Sequence, residues 1–423
     1  MRFERGRFCL QPVAVTDPAA LKQFAESRLP ASLELLREMV GINSWTLNRD
    51  GVNRLGRLTA DAFADLGFSA ELVPSRNAEF GNHLVLTRPG RTAASVAMIS
   101  HLDTVFPPEE EVRNDFRWRV DGDRVYGPGT CDIKGGTVMM RLVLESLRNH
   151  RPDAFESVGW RLFLNSSEEL LSPDFGEVCR ARFDPGTLAA LVFEAETPLP
   201  DGRYLVRSRK GRATWRVTAS GRGAHAGVKH AYGANAIVQL GRTVDRIAAL
   251  TDHSRNLTFN VGSIQGGGGL NRVPYEAAAE GEMRAFDPAV YSAGRAALLA
   301  LAGRGDVTSV ADGHPCNVKV DILHESDPWP VNAATDELLA LYQRAGAKLG
   351  QRIEGESRGG LSDGNLLWNA VPTLDGLGPA GDNAHCSERS ADGSKEPEYC
   401  DTASFVPKAM LNVAAIMELI GAA

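Results

Sequence analysis

Short segments of this chain carry side chains able to hold metal ions and move protons. They are His101-Leu102-Asp103, Gly129-Thr130-Cys131-Asp132, Ser167-Glu168-Glu169, Glu194 and Ala384-His385. Together they offer carboxylate oxygen and imidazole nitrogen without a committed cysteine pair. Such a donor set suits zinc or a similar divalent ion in an open, water-bearing site. A cation of that kind generates hydroxide near neutral pH, so the chemistry to expect is hydrolysis.

A carboxylate shared by two cations about 3.5–4 Å apart offsets part of their repulsion. Asp132 fits that bridge, because the Gly127-Pro128-Gly129 turn before it lets backbone approach closely. His101 and Glu194 would complete one cation site, Glu169 and His385 the other. Asp103 could accept the second N–H of His101 and fix its tautomer. Glu168 is left without a cation of its own, and a base held near bound water can take its proton and hand it to a leaving amine.

These side chains need a scaffold that gathers them. Apolar runs at 95–99, 160–164 and 189–193 have the length of buried strands, and His101, Glu168-Glu169 and Glu194 lie just past their ends. Helical periodicity covers 19–41, 52–66 and 133–147. Strands alternating with helices predict an α/β fold with a mostly parallel sheet, whose strands deliver ligands at their carboxyl ends. From 210 to 320 the pattern changes to β-α-β-β-α-β, with strands near 213–220, 257–264, 277–285 and 318–323 and helices near 235–250 and 288–302. That order is ferredoxin-like α+β. It predicts a domain at 210–320 inserted between two parts of the sheet domain, 1–209 and 321–423. The second part carries helices at 336–349 and around Met410 and Ile416.

Each residue also has a duller alternative. Asp132 could cap the helix that follows it. Glu168-Glu169 could be a solvated loop, and His101 a satisfied structural histidine. Glu196 competes with Glu194, since residues two apart on an extended chain face the same way. Their joint occurrence in an order compatible with one sheet edge favours the metal reading.

The net charge of −7 and the absence of a dense Lys/Arg run argue against nucleic acid. No stretch reads as a membrane span. Residues 1–10 lack the apolar core of a secretory signal, and the six cysteines show no paired spacing, so a cytoplasmic protein with free thiols is expected.

The segments 100–107, 127–136, Ser167-Glu168-Glu169, Gly223-Ala224-His225-Ala226-Gly227, Ser362-Asp363-Gly364-Asn365 and His385 resemble the signatures of the dinuclear zinc peptidase and deacylase family, in particular its glutamate carboxypeptidase type. The resemblance implies two Zn²⁺ per subunit, with Co²⁺ or Mn²⁺ tolerated by the same ligands, and a homodimer formed through the inserted lid domain. It implies the metal set His101, Asp132, Glu169, Glu194 and His385, with Asp103 as orienter and Glu168 as general base. It further implies that His225 reaches the partner subunit's site to steady the oxyanion, and that Arg284 and Asn271 contact substrate. A strand-face charge and a turn cap are the plainer roles for those last two. The chain departs from the family at Cys131, at Cys386 and in an insertion at 388–395 before Glu398-Tyr399. The activity implied is removal of the C-terminal residue of a small peptide, with N-acyl-amino-acid deacylation as the alternative. A catalytically inactive binding protein on the same scaffold is the alternative outside enzymes.

Overall fold

The computed structural model describes residues 17–199 and 202–421. It divides into two compact units. One takes the chain up to Arg207, Val331–Ser357 and Ser362 onward; the other takes Ser208–Pro330 and Arg358–Leu361.

In the first unit, the strand Ser95–His101 is buried along its whole length, with Gly159–Asn165 and Thr187–Val192 parallel to it on either side. Thr373–Leu374 extends the parallel set beyond Thr187–Val192. Two antiparallel strands, Asn82–Arg88 and Ser69–Pro74, complete the six-stranded sheet at the other edge. Neither strand was placed from sequence; Ser69–Pro74 is exposed almost throughout and shows no apolar alternation, whereas Asn82–Arg88 is buried over its centre.

Local signals place the helices. Asp17 accepts a hydrogen bond from the Ala19 amide and Pro18 opens the helix Pro18–Val40. Asn48 caps Arg49–Ala64 through the Gly51 amide. Lys134–His150 follows the Asp132 loop and is buried over most of its length.

The helix Phe405–Gly421 corrects one sequence expectation. The span Thr402–Gly421 is long and apolar enough to cross a bilayer by length and composition, where the sequence reading found no such stretch. It is largely buried, packed against Pro18–Val40, Lys134–His150 and Ala333–Lys348. A helix apolar over most of its surface suits such a core position.

The second unit is a five-stranded antiparallel sheet in the order Thr258–Gly266, Glu276–Ala285, Gly211–Ser220, Pro315–Ser326, Gly303–Thr308. Inward residues Ala213, Trp215, Val217 and Ala219 alternate with Arg216 and Thr218 and pack with Leu240, Ile247 and Leu298 of the helices Ala236–Ala248 and Pro288–Leu299. The four longer strands follow the ferredoxin-like order, and Gly303–Thr308 is an extra edge strand. Pro315–Ser326 runs past residue 320, so the unit extends to Pro330.

Candidate metal centre

Parallel pairing brings three strand ends to one edge of the first unit's sheet. His101 ends its strand opposite Asn165, the residue that leads into Ser167-Glu168-Glu169, and Glu194 lies just beyond Val192. Asp132 comes from the loop after Gly129, and His385 from a turn in which it adopts a left-handed backbone, φ 67°.

The side chains converge on Asp132. His101 Nε2 lies 3.0 Å from Asp132 Oδ1 and 3.8 Å from Glu194 Oε1. His385 Nε2 lies 3.3 Å from Asp132 Oδ2 and 3.2 Å from Glu169 Oε2. Ligand atoms of His101, Asp132 and Glu169 all fall within 4.8 Å of one another. The capping alternative for Asp132 does not hold, since the helix begins at Lys134 and its N-cap residue is Ile133, with no side-chain cap. Glu194 and Glu196 are placed differently. Glu196 is fully buried and committed to Arg203 and to Lys408, whose Nζ lies 2.7 Å from Oε2. Glu194 is the carboxylate beside His101.

The electrostatics describe a place short of positive charge. Burial, reinforced by the Asp132 charge, pushes Glu169 up to about 7. Hydrogen bonds to Asp132 and Glu169 raise His385 to about 11. Burial works against the Asp132 anion, yet the bonds from His101 and His385 outweigh it and hold its carboxyl below the usual range. Among the described residues Glu169 Oε1 is buried without a hydrogen-bond partner. Crowded carboxylates that raise each other's proton affinity, with a buried oxygen left over, fit a divalent cation. The mix of imidazole and carboxylate fits zinc, cobalt or manganese.

Glu168 is half-buried, and burial raises its carboxyl well above the usual value, with Glu169, Asp363 and Glu194 acting in the same direction. Its main chain is held by Asp103, which accepts from the Glu168 amide at 3.0 Å and the Glu169 amide at 3.2 Å, and from Thr46 Oγ1 at 2.7 Å. Asp103 therefore does more than the sequence suggested. The closest acceptor to His101 Nδ1 is the Asp103 backbone carbonyl at 3.0 Å, with its carboxylate at 3.4 Å.

Sequence reasoning left several supporting residues without a role. Asn165 accepts from the Ser167 amide and donates to Asp363 Oδ1 at 2.7 Å, so the Ser362–Asn365 turn braces the Glu168-Glu169 turn. Glu398 accepts from the Cys131 and Asp132 amides. The matched segment at 362–365 and the pair Glu398-Tyr399 were visible signals for both. The Asp132–Ile133 peptide is cis.

The remaining predicted residues belong to the second unit. His225 is exposed, and its Nδ1 accepts from the Gly227 and Val228 amides, each at 3.1 Å, so a neutral ring carries its proton on Nε2. The Asn271 carbonyl accepts from Ala226, which joins its turn to that of His225. Arg284 sits on Glu276–Ala285 with its guanidinium paired to both Glu282 oxygens and to Gly359 O at 2.9 Å. Lys210 lies close by, and burial together with repulsion from Arg284 lowers its pKa.

A sequence profile of peptidase family M20/M25/M40 matches residues 97–411, well over half the chain. The chain belongs to that family. It is accordingly a hydrolase of metallopeptidase type, as the motif resemblance implied. It is 25% identical over 406 residues to carboxypeptidase G2 of Pseudomonas sp. (strain RS-16), covering 95% of this chain and 92% of that protein. Among solved structures, a tripeptidase from Staphylococcus aureus matches with a TM-score of 0.72 at 20% identity, covering 94% of this chain and 99% of the other. A dinuclear metal-binding peptidase of the same family from Bacillus subtilis matches with a TM-score of 0.63 at 15% identity, covering 93% and 99%. The two structures establish a shared M20 fold.

Proposed function

We propose that this M20 protein is a two-zinc carboxypeptidase that hydrolyses the amide bond before the C-terminal residue of small peptides. The observation that carries the reading is Asp132, whose two oxygens face different imidazoles, His101 on Oδ1 and His385 on Oδ2. Zinc ions held by His101, Asp132 and Glu194 on one side, and by Asp132, Glu169 and His385 on the other, would supply Lewis acidity and acidify water.

The protein's own groups do the rest. Glu168 takes the proton of the attacking water and passes it to the leaving amine, a task that suits a carboxyl whose proton affinity burial has raised. Asp103 and Asn165 fix the turn that presents it. His225, with Nδ1 already filled by two amides, keeps an Nε2–H donor for the developing oxyanion of the neighbouring subunit in a homodimer. Arg284 would have to exchange its Glu282 partner to meet a substrate carboxylate, with Lys210 close by, and Asn271 stands beside the His225 turn. The likeness to carboxypeptidase G2 supports C-terminal removal over other M20 activities.

The test combines Glu168→Ala with a panel of dipeptides, tripeptides and N-acyl amino acids, with zinc measured in parallel. Turnover should vanish in the variant while bound zinc stays near wild type. Unchanged hydrolysis would remove Glu168 from its role. Faster turnover of N-acyl amino acids than of any peptide would make the protein a deacylase.

A further inference from the structure

Resting on the metal reading above, we propose that Glu398 is a positioning residue that ties the Asp132 loop to the His385 turn and so sets the separation of two metal ligands. Its side chain reaches one segment and its main chain the other. Glu398 Oε1 accepts from the Cys131 amide at 2.8 Å and the Asp132 amide at 3.0 Å. Its backbone N–H donates to Cys386 O at 2.8 Å, one residue from His385, and its carbonyl accepts from Gly127. The ligands so joined stand 3.3 Å apart, His385 Nε2 to Asp132 Oδ2.

The cost of this arrangement is informative. Glu398 is fully buried and, among the described residues, its Oε2 has no hydrogen-bond partner. A buried carboxylate oxygen left unsatisfied works against folding, so stability alone does not explain an acid here. Two amides on the loop that presents Asp132 do explain it.

The tie also accounts for the insertion at 388–395. That loop closes on itself: the Ser390 amide donates to Lys395 O at 3.1 Å, the Lys395 amide to Ser390 Oγ at 2.9 Å, and Lys395 pairs with Glu388 at 2.6 Å. The bond between Cys386 and Glu398 shuts its base. Extra residues therefore leave the spacing of His385 from Asp132 unchanged.

The experiment uses zinc-loaded protein and reads zinc per chain, zinc release to a chromogenic chelator, and the thermal unfolding midpoint. Glu398→Ala should stay folded and release zinc faster than wild type, in line with the about 10–100-fold loss of metal affinity that follows removal of groups orienting metal ligands. Glu398→Gln keeps the acceptor oxygen and should stay close to wild type. Replacing residues 390–394 by Gly-Gly should leave release unchanged. Wild-type release from folded Glu398→Ala would overturn the proposal, as would equal losses in the Ala and Gln variants or faster release after loop shortening. If Glu398→Ala does not fold, Glu398→Asp takes its place, because the shorter acid cannot span to both amides, and wild-type release from it would be equally fatal. A wild-type protein that never holds two zinc ions would sink the metal reading itself, and this inference with it.

Discussion

The Lys408–Glu196 pair offers the sharpest test of how the first unit holds its site. Both side chains are fully buried, Lys408 Nζ lies 2.7 Å from Glu196 Oε2, and the same ammonium donates to Gly376 O at 2.7 Å. Gly376 opens the segment that runs beside Glu194, with Gly378 N donating to Glu194 O at 2.8 Å. Lys408→Met leaves Glu196 buried with only Arg203 to balance it, and breaking such a pair costs about 3–5 kcal/mol. For a unit of this size that corresponds to a fall in the unfolding midpoint of about 6–10 °C. Removing both charges in Lys408→Met/Glu196→Leu should recover most of the loss, because apolar side chains of similar volume replace a buried ion pair at little cost. The assay is thermal unfolding of zinc-saturated protein for both singles and the double, read as a double-mutant cycle. A Lys408→Met midpoint within about 1 °C of wild type would refute the reasoning, since by the scaling used here that is a loss of under about 0.5 kcal/mol.

Stripping the metals should make stability strongly pH-dependent. Folding raises Glu169 from 4.5 to about 7 and Glu398 from 4.5 to about 8, in both cases chiefly by burial. A raised folded pKa means the folded state binds the proton more tightly, so that stability is complete below the unfolded value and is lost as pH climbs through 7–8. The unfolding midpoint of chelated protein should therefore fall from pH 5 to 8.5, at up to about 1.4 kcal/mol per pH unit for each group, while zinc-loaded protein stays flatter. A level profile for the stripped protein would contradict this. Gly136→Ala should also weaken the site, because a Cβ there would lie 2.0 Å from Phe193 O, next to Glu194. A loss of about 1–3 kcal/mol together with reduced zinc retention is expected, measured by unfolding and metal analysis.

Much of the candidate site was legible because its metal-type side chains lie at the ends of apolar runs. His101, Glu169 and Glu194 follow strands whose apolar continuity marks them as central, and parallel pairing then fixes their common edge. What the sequence did not disclose is the four-stranded antiparallel sheet of short strands, Arg119–Asp121, Arg124–Tyr126, Gly381–Asp382 and Tyr399–Asp401, that brings the His385 turn beside the Asp132 loop. Strands of two or three residues are too short for periodicity to register. The roles of Thr46, Asn165 and Glu398 were hidden for a different reason: each hydrogen-bonds a group distant in sequence, the Asp103 carboxylate, the Asp363 carboxylate and the Cys131 amide respectively. Glu194 and Glu196 looked equivalent until the Lys408 pairing separated them.

The helix Phe405–Gly421 has one more consequence. By length and composition the span Thr402–Gly421 would pass for a membrane-crossing helix, yet most of it is buried inside the folded unit. Lys408 and Asn412, both facing inward, weigh against a crossing, since an ammonium within hydrocarbon is penalised by about 2.5–3.5 kcal/mol near a span's centre. The residue that locks the helix into the folded protein is thus also the one that makes the same segment a poor bilayer span.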